Sequence, residues 1–178
     1  MKITKELLKE KGACVDGYRD FLKEYPVDKY PDGVEYQELL DCCAEKNFSY
    51  GSWLLGAFGK TDEVRKIGGD LIAEKGIIFA GRLEVKGCIK AGWGIKAGCS
   101  IKTSWGIKAG DGIEAGYNIK AGCGIEAGDG IEVGDEFGIY AGLCCRVTNK
   151  TLRKIIAKER PENIMCGEFE EKSDSEGK

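Results

Sequence analysis

The chain has 178 residues, with 27 basic and 30 acidic side chains and a formal net charge of −3. Hydrophobic residues make up 42% and charged residues 32%, the ordinary mix of a soluble globular protein. Histidine is absent, which excludes Ser-His-Asp and Cys-His catalysis, HExxH chemistry and every His-ligated metal site.

The N-terminus, M-K-I-T-K-E-L-L-K-E, has no apolar stretch of the kind a signal peptide needs. No apolar run approaches the ~18 residues of a membrane span, so no membrane association is expected. Nine cysteines in a chain without export signals predict free thiols and a reducing cytoplasm. The close pairs, Cys42–Cys43 and Cys144–Cys145, are adjacent, and no C-x-x-C occurs. They read as small apolar side chains, so neither metal nor cofactor is expected.

In chain order, residues 3–58 predict short helices. Thr4 is placed to cap I-T-K-E-L-L-K-E-K, which Gly12 ends, and V-D-G-Y-R-D-F-L-K-E-Y is stopped by Pro26. V-E-Y-Q-E-L-L-D-C-C-A-E-K and Y-G-S-W-L-L-G-A-F follow, the latter offering Trp53, Leu54, Leu55 and Phe58 to a core. Residues 1–70 are therefore expected to form an N-terminal helical cap domain.

From Leu71 to Glu136 the sequence repeats every six residues, as in IKAGWG, IKAGCS, IKTSWG, IKAGDG and IEAGYN. The first position is always aliphatic and the third is small or apolar. Between them, from Glu84 to Glu132, stands a Lys or Glu in every unit. This alternation is the period of a strand, with Ile and Ala inward and the charge toward water. Each strand is about three residues long, and the glycines that follow turn a corner, since glycine accepts φ > 0. Short strands joined by like corners stack into a parallel β-helix, a β-solenoid. Coils of 12 and of 18 residues both fit the period, and the three-faced 18-residue form is favoured over the flattened one. Residues 71–146 form this solenoid. Thr151 is then placed to cap T-L-R-K-I-I-A-K-E-R, giving a C-terminal capping helix and segment over 147–166. Residues 167–178 read as an acidic disordered tail. The expected class is mainly β with α caps.

Left-handed hexapeptide acyltransferases carry their small residue at the fifth position and use a catalytic histidine. Here the fifth position holds Trp93, Cys99, Trp105, Asp111, Tyr117, Cys123 and Asp129. The G-D-G-I-E-A-G run instead resembles the polymer-forming bactofilin-type solenoids, in their glycine-punctuated I-x-A strands. The resemblance covers about 70 residues of 178 and implies a right-handed solenoid and self-assembly, with no particular activity. Helical caps at both ends would block end-to-end stacking and favour a discrete species.

Charge is banded along the repeat. Residues 85–110 carry five lysines and no acid, 111–136 seven acids and one lysine, and 137–160 six basic residues and one acid. Solvated outward positions account for such bands without any partner. Two functional readings stand beside that one: an antiparallel homodimer, and a platform for nucleic acid on the basic coils. The candidate binding residues are Lys90, Lys96, Lys102 and Lys108 with Trp93, Trp105 and Tyr117 at glycine-flanked corners. No catalytic residues are assigned and no enzymatic activity is expected. Stacked outward carboxylates on a convex surface offer no pocket for acid–base chemistry. The leading expectation is a binding protein in the style of phage-encoded, anti-CRISPR-like inhibitors, whose partner is a host protein or nucleoprotein complex. The alternative is a self-assembling scaffold of bactofilin type.

Overall fold

The computed structural model describes residues 1–145 and 148–172. The chain divides into two compact units, Met1–Phe58 and Gly59–Lys178. The boundary lies twelve residues before the one expected at 70, because the first strand of the first solenoid coil, V-R-K-I at Val64–Ile67, lacks the I-x-A signature.

The first unit begins with β1 (Lys2–Ile3), α1 (Lys5–Glu10) and α2 (Val15–Glu24). It continues with β2 (Val34–Glu35), which pairs antiparallel with β1, then α3 (Tyr36–Lys46) and α4 (Phe48–Phe58). Thr4 caps α1 as its sequence predicts, its Oγ1 accepting the Leu7 N–H at 3.3 Å. The core is formed by Leu8, Phe21, Tyr25, Tyr36, Leu39, Leu40 and Leu54. Of the residues offered by α4, Leu54 is buried, whereas Trp53 is 37% exposed. The Tyr36 hydroxyl donates to the Leu54 carbonyl at 3.1 Å and ties α3 to α4.

Burial pushes the Cys43 thiol up to about 12 and raises the Tyr36 phenol above its ordinary range. Tyr25 is raised too, first by burial and then by the Cys42 thiol beside it. These groups fold neutral, so above the ordinary thiol value of 9.0 the unfolded chain loses protons that the folded chain keeps. Stability must therefore fall with rising pH, by about 1.4 kcal/mol per pH unit for each such group. Helical circular dichroism during urea unfolding should show the first unit weakening between pH 9 and 12. Cys43→Ala should flatten that slope by one group's share.

The second unit is a triangular parallel solenoid with 18 residues per regular coil. The first coil is β3 (Val64–Ile67), β4 (Leu71–Ala73) and β5 (Ile77–Phe79), and the second is β6 (Arg82–Val85), β7 (Ile89–Ala91) and β8 (Ile95–Ala97). The third is β9 (Ile101–Thr103), β10 (Ile107–Ala109) and β11 (Ile113–Ala115), and the fourth is β12 (Ile119–Ala121), β13 (Ile125–Glu126) and β14 (Ile131–Val133). Face 1 stacks β3, β6, β9 and β12, face 2 stacks β4, β7, β10 and β13, and face 3 stacks β5, β8, β11 and β14. Register keeps Ile over Ile: Ile89, Ile107 and Ile125 align on face 2, and Ile95, Ile113 and Ile131 on face 3. These side chains, with the alanines two positions on, fill the central column as the alternation requires.

The corner glycines have a different cause from the one expected. Among the described residues, no glycine of the repeat over 71–136 has a positive φ. Glycines at the fourth position of the repeat, such as Gly92, Gly110 and Gly128, are needed because successive coils touch there. A Cβ on Gly110 would lie 1.9 Å from the Gly92 carbonyl oxygen, and one on Gly128 only 1.5 Å from that of Gly110. At these fourth-position corners the backbones approach too closely for a side chain, whereas Gly112 and Gly130, at the sixth position, have room for one.

The C-terminal segment also departs from expectation. Instead of a capping helix over 147–166, a single 3-10 turn at Lys150–Arg153 leads into further strands. These are β15 (Ile139–Tyr140) before the turn, then β16 (Lys154–Ala157), β17 (Ile164–Cys166) and β18 (Glu168–Glu171) after it. K-I-I-A has the spacing of a helix face, yet it also matches the I-x-A of the strands below. Pairing Ile155 with Ile125 buries Ile155 and Ala157 on the column, which a helix could not do. The part of the expected acidic tail at Glu168–Glu171 is a strand paired with β16, while residues 173–178 lie outside the described residues. Both ends of the column are closed alike. Arg65 occupies an inward position, opposite Leu83, with its guanidinium 4.6 Å from the Phe79 ring centroid. At the other end Phe169 pairs with Ile155, and Arg160 lies 5.9 Å from its ring.

Candidate functional site

An 18-residue coil sends residues twelve apart to different corners. Trp93 follows β7 on one edge of face 2, Trp105 precedes β10 on the other edge, and Tyr117 lies at the third corner, after β11. The seven candidate residues are thus not one platform. Lys90 and Lys108 stack in register on face 2, between the two tryptophan edges. Lys96 belongs to face 3 and Lys102 to face 1.

Environment separates them further. Trp93 is half-buried, with the Lys75 ammonium 5.5 Å from its ring. Tyr117 is half-buried between Phe137, at 4.5 Å between centroids, and Lys60, which hydrogen-bonds its hydroxyl and sits 4.0 Å above its ring. Trp105 differs: it is 59% exposed. A ring of that size left in water is unusual unless another surface covers it.

The lysines divide in the same way. Lys96 is only 15% exposed and pairs with Glu114 one coil on. Lys108 donates to both oxygens of Glu126, at 3.0 and 3.1 Å. Lys90 and Lys102 form no ion pair among the described residues. The charge bands are therefore joined along the axis: the basic coils lean on the acidic ones, and Lys158 and Lys172 close onto Asp129 and Glu126 from the far side. Much of the banding is satisfied within the chain and is not offered to a partner. Exposed pairs of this kind contribute up to about 1 kcal/mol each.

A shallow groove of about 260 Å³ runs along face 2 beside the Trp105 edge. Lys90, Lys108, Glu126 and Ile156 line it, and Thr151 and Leu152 of the 3-10 turn wall it on one side. This wall was not foreseen, since it depends on how the C-terminal segment folds back. Lys75 under Trp93 was within reach, because the two are one coil length apart. No buried acid–base pair occupies the groove. Among the described residues no group of three or more His, Cys, Asp or Glu is arranged to hold a metal ion, and no helix is long and apolar enough to cross a membrane. Comparison of the chain with family models, with curated proteins and with solved structures finds no match.

Proposed function

We propose that the protein is a non-catalytic binding protein that docks through face 2 and its Trp105 edge onto a nucleoprotein complex, in the manner of a phage-encoded inhibitor covering a host defence effector. The observation that carries this reading is the exposure of Trp105 at the corner leading into β10, on the edge of the face whose strand β7 carries an unpaired Lys90. An aromatic face next to a cation is suited to stack on a base, or on an arginine of a protein partner, while the ammonium meets phosphate. The stacked coils fix the backbone beneath both groups before contact, so little backbone ordering entropy is lost on docking. Self-assembly by end stacking is disfavoured by the charge on the terminal strand β18, which carries Glu168, Glu170 and Glu171 along its open edge.

Affinity capture of RNA-guided effector complexes, with and without nuclease, tests the reading. The wild-type chain should retain the complex, and Trp105→Ala with Lys90→Glu should weaken capture at least about tenfold, or about 1.4 kcal/mol. Lys102→Glu, on another face, should leave capture unchanged. Equal capture by all variants, or none by the wild type, removes the proposal. Loss of capture after nuclease places the contact on nucleic acid, and its persistence places it on protein.

A further inference from the structure

The corner between faces 1 and 2 gathers thiols from sequence-distant positions. Cys123 lies at the corner after β12, and Cys144 and Cys145 lie in the turn after β15. The Cys145 and Cys123 sulfurs are 3.6 Å apart. Backbone hydrogen bonds fix this approach: Gly142 N–H to the Cys123 carbonyl at 2.9 Å, Leu143 N–H to Ala121 at 3.2 Å, and Cys144 N–H to Gly122 at 2.9 Å. The Cys145 thiol also reaches the Gly122 carbonyl, at 3.2 Å. A cavity of about 620 Å³ lined by Ser104, Trp105, Cys123, Cys144, Cys145 and Leu152 opens this pair to solvent.

We propose that Cys123 and Cys145 are a reversible redox pair, converted by hydrogen peroxide into an intrachain disulfide that fastens the turn after β15 to the fourth coil. Two thiols held at contact distance by a rigid backbone react at high effective concentration. The two sulfurs have to close from 3.6 Å to the ~2.05 Å of a disulfide bond. Partial burial and the neighbouring Cys145 sulfur push the Cys123 thiol up to about 11, so Cys123 takes the part of the resolving thiol. The Cys145 thiolate attacks one peroxide oxygen, the O–O bond breaks, and hydroxide leaves and takes up a proton as water. The Cys123 sulfur then attacks the sulfenic sulfur of Cys145, the S–O bond breaks, and a second water leaves with the thiol proton. Two thiols are oxidised as one peroxide is reduced to two waters. The inference is independent of the binding role of face 2.

The full chain, reduced and freed of reductant, is treated with hydrogen peroxide, and the remaining thiols are blocked. The three cysteines share one tryptic peptide, 121–146, so cleavage at acidic residues such as Glu126 and Asp135 is needed to map the bond. Support is a loss of two hydrogen masses, a Cys123–Cys145 cross-linked fragment, and full reversal by dithiothreitol. Cys144→Ser should form the bond at the wild-type rate within about twofold, and Cys145→Ser should lose it. A Cys144–Cys145 bond, oxygen addition at separate cysteines, or intermolecular cross-links overturns the proposal. Tandem mass spectrometry of the cross-linked fragment, which places the blocked thiol at Cys144 or Cys145, decides the matter on the wild-type chain even if a variant does not fold.

Discussion

Gly128→Ala is expected to destabilise the solenoid by about 3 kcal/mol or more, at the upper end of what overpacking costs. The added methyl would sit 1.5 Å from the Gly110 carbonyl oxygen and 2.6 Å from its carbon, both backbone atoms of the coil before. A flexible side chain could swing away from such a contact, but a corner held by ladder hydrogen bonds on both sides cannot. The coils would have to part, breaking the bonds from Gly128 N–H to the Ala109 and Asp111 carbonyls, at 3.1 and 2.9 Å. Gly130→Ala, two residues on, is the matched control. Nothing lies within 4 Å of a Cβ there, and its φ is not positive. It should change stability by less than about 0.5 kcal/mol, or raise it slightly by restricting the unfolded chain. Urea unfolding, with amide exchange in β10 and β13 as the local probe, compares the two. Equal costs would show that the glycines serve some need other than close approach.

Ile113→Ala should cost about 3 to 4 kcal/mol, within the range for a large-to-small change in a packed core. Ile113 is fully buried in the third coil, paired with Ile95 below and Ile131 above. The column is one side chain wide from each face, so no second layer is available to collapse into the space. Ile113→Val, losing one methyl, should cost about 1 kcal/mol. Leu71→Ala in the first coil, where the side chain is only half-buried, should cost clearly less than Ile113→Ala. In a stack where each coil touches only its neighbours, damage in the middle weakens two interfaces and damage at the end weakens one. Denaturant midpoints for the three variants test that order.

The solenoid was legible in the sequence because its period is short and repeated. Isoleucine at every sixth position from Ile89 to Ile131 fixes which edge of each strand faces the column, and the 18-residue register follows once three faces close. The strands at the two tips, β3 and β16 to β18, were not legible, for an opposite reason. Arg65 holds an inward position where the pattern demands an aliphatic, and Phe169 sits in E-F-E-E, which reads as solvated. At both places the column is ending, so the residue that suits it is amphipathic. The K-I-I-A strand was hidden because Leu152, Ile155 and Ile156 also fit a helix, and only the stack beneath them decides. Among the binding candidates, sequence could group the lysines by sign but not by face. The separation of Lys102 from Lys90, and of Tyr117 from Trp105, each twelve residues apart, depends on the number of residues per coil.

The guanidinium–ring lids over Phe79 and Phe169 have a consequence for how such a molecule can change. With both mouths of the column plugged, the rod cannot lengthen by adding chain at its tips. It can grow only by duplicating an interior rung, in whole multiples of 18 residues, and each duplication would move Trp105 about 4.8 Å relative to one lid. The protein is thus a ruler with fixed graduations, and the span between its plugged mouths is written in its repeat number.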